Sequence, residues 1–124
     1  MDNGQSKENV LMDKSYLFAR RIVRLYKHLT VEEKEYVLSK QVLRSGTSIG
    51  ANVTEADEGQ SKPDFINKLS IALKEAVETE YWLRLLRDEK YITQSQSESM
   101  LDDCKQLIRL LTASIKTAKR SLNK

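Results

Sequence analysis

Phe65, Leu69, Ala72, Ala76, Thr79, Leu83 and Leu86 recur at alternating steps of four and three, a heptad seam held for three repeats. Such a rhythm keeps small and apolar side chains on one stripe of an α-helix and commits that stripe to packing on other helices. Leu101, Cys104, Ile108, Leu111, Ile115, Ala118 and Leu122 repeat it, so two long segments of a 124-residue chain carry helix-packing seams.

Two further helices precede them. Between Asp13 and Leu29, Phe18, Ile22, Leu25 and Leu29 form one stripe, flanked by Ala19 and Tyr26. Thr30 and Glu33 have the spacing of a capping box, which predicts that a second helix starts about there. Its stripe runs through Leu38, Val42, Ile49, Val53 and Ala56 to an end near Glu58, with Gly59 as a left-handed cap. Ser61-Lys62-Pro63-Asp64 reads as the start of the third helix, and the polar run Thr93 to Glu98 offers caps for the fourth. Helices two to four are expected to have roughly 25–29 residues, or about 40 Å at 1.5 Å per residue. Gly46 and Gly50 lie inside the second helix, where each glycine costs about 1 kcal/mol relative to alanine. That cost predicts a bulky side chain or another backbone close to that face.

Connections of a few residues turn each helix back on the last. The expected fold is all-α: a left-handed, up-down-up-down four-helix bundle crossing at about 20°. One Pro and four Gly leave few of the turns an all-β chain needs. Residues 13–124 are expected to form the bundle domain, with residues 1–12 as a flexible N-terminal arm.

The same residues argue against several kinds of function. No apolar run approaches the roughly 20 residues of a membrane span. The start Met1 to Ser6 lacks a secretory pattern, and the single cysteine cannot form an internal disulfide, which points to the cytoplasm. His28, the only histidine, stands at the end of the first helix, and Glu75 with Glu78 has the spacing of a di-iron bundle without its histidine. Cys104 falls on a seam, as a small hydrophobe would. Gly46 and Gly50 lack the Lys-Ser/Thr ending of a phosphate loop. No catalytic residue, metal site or cofactor is expected, and the chain reads as a non-enzyme.

Charge is distributed unevenly. Residues 1–30 and 91–124 each hold six Lys or Arg against three acids, whereas the middle holds nine against twelve. Arg20, Arg24 and Lys27 lie on the side of the first helix away from its seam, with Lys14 and Arg21 nearby. On the fourth helix Lys105, Arg109, Lys116 and Arg120 recur at four, seven and four, joined by Lys119, and no acid follows Asp103. First and fourth helices should be neighbours, so these residues are expected to merge into one basic surface that grips phosphates without reading sequence. The plainer reading is that they solvate exposed faces and complement helix dipoles.

Leu43-Arg44-Ser45-Gly46-Thr47-Ser48-Ile49-Gly50-Ala51-Asn52, followed by Phe65 to Ala76 and Glu78 to Leu86, carries a resemblance. From Lys14 to the end of the fourth helix the chain resembles the bacterial 23S rRNA intervening-sequence proteins, relatives of the accessory variability determinant of diversity-generating retroelements. The resemblance implies a four-helix protomer in a homopentameric ring, with a basic surface, a nucleic-acid role and no assigned enzymatic activity. It places signature residues on helices two and three, so Arg44, Ser48, Asn52, Glu55, Glu75 and Glu78, together with the aromatic Trp82, are expected at inter-helix or inter-subunit contacts. The retroelement proteins are strongly basic, whereas this chain has a net charge of only +3. Two functions stand side by side: an oligomer binding RNA or DNA, and a structural or adaptor oligomer binding another protein through its acid-rich middle or through Tyr81 and Trp82.

Overall fold

The computed structural model describes residues 7–59 and 61–123, with side chains from residue 10 onward. It contains α1 (Lys7–Val31), α2 (Leu38–Asp57), α3 (Lys62–Asp88) and α4 (Gln94–Leu122). Each helix packs on its chain neighbours, and α1 also packs on α4, while the diagonal pairs stay apart. That cyclic order is the expected four-helix bundle.

The seams close on one core. Leu69, Ala72, Ala76, Leu83 and Leu86 of α3 meet Cys104, Leu107 and Leu111 of α4, all essentially inaccessible to solvent. The Cys104 thiol donates to the Ala76 carbonyl across this seam at 3.2 Å. Burial pushes that thiol up to about 12, so Cys104 is an inert core residue rather than a nucleophile. Thr79, the polar member of the α3 seam, donates to the Glu75 carbonyl at 2.7 Å and lies 2.9 Å from the buried Ser45 hydroxyl of α2. The two hydroxyls satisfy each other in the core. At the far end of α4 the pattern loosens, and Leu122 is exposed.

Helix starts differ from expectation in instructive ways. Residues 7–12 are not an arm: α1 begins at Lys7, and Leu11 is as buried as Phe18. Ser15 stands one turn further on in the same seam, its hydroxyl donating to the Met12 carbonyl. Residues 1–6 of the expected arm lie outside the described residues. Thr30 does not cap α2 but donates to the Tyr26 carbonyl within α1. The α2 start is instead held by Glu35, whose carboxylate accepts from the amides of Val37, Leu38 and Ser39 at 3.1, 2.9 and 2.6 Å. Burial alone would raise the Glu35 pKa, but these amides outweigh it and hold the carboxyl below its ordinary value. α2 is therefore only 20 residues long, about 30 Å, against 27 and 29 for α3 and α4. Gly59 does not supply a left-handed cap; among the described residues the left-handed ones are Lys34 and Lys90, in the two connections at the opposite end of the bundle.

The starts of α3 and α4 follow the sequence. Ser61 accepts from the Asp64 amide, with Pro63 in the first turn. Thr93 and Gln96 form a reciprocal capping box.

The glycines of α2 meet α1 directly. A Cβ on Gly46 would fall 2.6–2.9 Å from three side-chain carbons of Ile22, and one on Gly50 would stand 3.2 Å from the Ser15 carbonyl oxygen. Ile22 is fully buried and branched at Cβ, so it has little room to yield. Gly46→Ala gains about 1 kcal/mol of helix propensity against an overpacking cost of about 1–3 kcal/mol. With three contacts below 3 Å the upper part of that range applies, so urea denaturation should show a net loss of about 1–2 kcal/mol. A more stable variant would contradict this packing.

Candidate nucleic-acid interface

The signature residues of α2 and α3 assemble mainly within the chain. Lys68, Glu75 and Trp82 recur every seven residues on the flank of α3 that meets α2. Arg44 donates to Glu75 at 3.1 Å and also to Glu78, which in turn accepts from the Trp82 indole at 3.1 Å. Tyr81 stands edge-on to Trp82, with ring centroids 5.1 Å apart. Glu55 is apart from this group and pairs with Lys68 at 2.7 Å, a partner the sequence reading missed although its seven-residue spacing from Glu75 marked it. Ser48 and Asn52 donate to carbonyls of their own helix, those of Arg44 and Ser48.

Burial alone would raise the Glu78 pKa, but the indole and guanidinium donors outweigh it and hold the carboxyl below its ordinary value; Glu78 in turn raises that of Arg44.

The basic residues divide differently from expectation. Arg21 bridges α1 to α4, donating to Asp103 at 2.6 Å and to Ser99 at 2.9 Å. Lys14, Leu17 and Phe18 share a crevice with Asp103, Gln106 and Leu107, so the two helices run antiparallel with Arg21 level with residues 99–103. Moving along α1 to Lys27 therefore means moving back toward the first turn of α4. Arg20, Arg24 and Lys27 lie at one end of the bundle, whereas Lys116, Lys119 and Arg120 lie at the other, roughly 20 Å away at 1.5 Å per residue. Lys14, Lys105 and Arg109 fall between them. The cations therefore run as a row on α1 and a row on α4 rather than collecting at one level. Apart from Arg21, none of the predicted cations on α1 and α4 makes an ion pair among the described residues.

Each row borders a groove. Arg109, Lys116 and Arg120 line an open groove of ≈ 440 Å³ beside Ile108 and Thr112. At the other end a cavity of ≈ 270 Å³ opens between α1 and α4. Leu25, Ile92 and Met100 form its apolar floor, while Arg21, Arg24, His28 and Gln96 form its rim. His28, four residues from Arg24 and seven from Arg21, shares their face. His28 also pairs with Glu33 at 3.5 Å, and the groove continues past it to Arg87 and Lys90.

Among the described residues no cluster of His, Cys, Asp and Glu is suited to a metal ion, and no helix is long and apolar enough to cross a membrane.

Trp82 is the only tryptophan, so its emission reports on the Arg44 network. Glu78 is more acidic folded than unfolded; its contribution is complete above the ordinary glutamate value of about 4.3 and is lost as pH falls through the lowered folded-state value. Trp82 emission should hold steady down to about pH 4 and shift below it, and Arg44→Ala should move that shift to higher pH. An unchanged profile in the variant would show that Arg44 does not support Glu78.

The model of the 23S rRNA-intervening sequence protein family matches residues 7–113. No curated protein matches the chain. A crystal structure of a protein of unknown function from the S23 ribosomal protein family of Bacteroides thetaiotaomicron is 60% identical, with a TM-score of 0.88 over 90% of this chain and 99% of that one. Bundle, signature segment and family match agree, and the chain belongs to the 23S rRNA-intervening sequence protein family.

Proposed function

We propose that this protein is a non-enzymatic, cytoplasmic RNA-binding oligomer that holds phosphate backbone on two basic patches, one on α1 and one on α4. The observation that carries this reading is the contrast between its cations. On α2 and α3, Arg44, Lys68 and Arg87 pair with carboxylates and Lys40, Lys62, Lys74 and Arg84 do not, whereas among the lysines and arginines of α1 and α4 only Arg21 is paired, and Arg20, Arg24, Lys27, Arg109, Lys116 and Arg120 are exposed in helical rows without ion pairs among the described residues. Unpaired, solvated cations in helical rows can exchange small counterions for phosphates, and the released ions drive binding. The family's link to 23S rRNA intervening sequences favours RNA as the polyanion.

Three cations per patch give modest affinity, and several copies in one assembly would raise it by avidity. Exposed Tyr16, Leu17, Val77 and Tyr81 provide apolar area for self-association. The family resemblance suggests a homopentamer.

Binding of a structured ribosomal RNA fragment, measured across a salt series, tests both patches. Changing Arg20, Arg24 and Lys27 to Glu, or Arg109, Lys116 and Arg120 to Glu, should each flatten the plot of log K against log salt by about two or more. The combined variant should lose binding. Salt-independent binding, or reversal variants that bind like the unchanged protein, would sink the proposal. Light scattering on the same samples should give about five protomers of 14.3 kDa; a monomer at all concentrations would remove the avidity argument.

A further inference from the structure

We propose that the cavity between α1 and α4 receives a single unstacked nucleobase, with the flanking phosphates on the cations that lead away from its rim along α1. This inference rests on the RNA-binding reading and gives it a contact other than phosphate.

The floor is the first reason. Leu25, Ile92 and Met100 are each 6–7% exposed, and their remaining accessible surface borders the cavity. A base covers such a floor with one flat face, and the Met100 thioether is a favourable neighbour for an aromatic ring. At ≈ 270 Å³ the cavity falls just below the range of about 300–1,000 Å³ typical of drug-sized ligands, which suits one ring system and not a peptide helix.

The rim supplies orientation. Arg21 is pinned at both terminal nitrogens by Asp103 and Ser99, so its guanidinium plane is ordered before any ligand arrives. Ordered guanidinium planes are surfaces on which bases stack. The Gln96 side-chain oxygen already accepts from the Thr93 amide at 2.9 Å, which leaves its amide nitrogen to donate to acceptors on a base edge.

Charge selects the ligand. Arg24 sits on the rim without a carboxylate partner among the described residues, and Arg20 and Lys27 follow it one turn to either side. Neighbours at this spacing are about 5–6 Å apart on a helix surface. An apolar ring continuous with a chain of anions complements this arrangement; an aromatic peptide side chain brings the ring without the anions.

The test leaves the protein chain unaltered and changes one position of the RNA. Full-length protein carrying ¹³C-methyl methionine is titrated with a hairpin RNA bearing a single bulged adenosine, and with the same hairpin abasic at the bulge. The Met100 methyl should move upfield with the adenosine hairpin and stay in place with the abasic one, while Met12, well along α1, serves as reference. The abasic hairpin should bind about fivefold or more weakly. Equal affinity for the two hairpins, or an unmoved Met100, overturns the base receptor while leaving the phosphate patches standing. Failure of both RNAs to bind overturns both readings.

Discussion

Ile22 crowds the space where a Cβ on Gly46 would stand, and the glycine lets α1 seat closely on α2. With α1 seated on α2 this closely, its Ser15–Phe18–Ile22–Leu25–Leu29 stripe points into the core and its Lys14–Arg21–His28 flank turns to α4. Arg21 then falls within reach of Asp103 and Ser99, which fixes the level of α1 against α4. A larger residue at position 46 would push on α1, which forms one wall of the cavity, as well as on the core.

The bundle spends its polar side chains unevenly. Between α2 and α3, Arg44, Glu75, Glu78 and Trp82 satisfy one another, and Lys68 holds Glu55. These residues stiffen one flank and have little charge left for a ligand. Along α1 and α4 most cations have no such partner, so a chain with a net charge of only +3 still presents local positive fields.

Periodicity made the core legible in the sequence, because a heptad seam constrains each helix independently of the others. Ser61 and Thr93 were legible as caps because they act on the adjacent turn. Thr30 misled for a physical reason: a threonine hydroxyl can donate back into its own helix as readily as it caps the next one, and here it does the former. Glu35 was missed because a carboxylate before the helix start is not part of the usual capping pattern. The α1 start was hidden by Ser15, a polar residue in a core position. The connections carry no glycine or asparagine at their left-handed positions, Lys34 and Lys90, so composition did not mark their turns. The basic rows were visible as rows, but their relative placement depends on the level at which two antiparallel helices pair, which periodicity does not encode. The cavity floor likewise joins Leu25 to Ile92 and Met100, residues brought together only by the fold.

On the proposed reading RNA meets this bundle along α1 and α4 and leaves the α2–α3 flank untouched. Hydrogen exchange of the whole protein with and without a bound ribosomal RNA fragment distinguishes these faces. Exchange should slow in residues 20–28 with 90–100 and in residues 109–120, and stay unchanged around Arg44, Glu75 and Trp82. Protection centred on α2 and α3, with the α1 and α4 blocks unaffected, would contradict that reading.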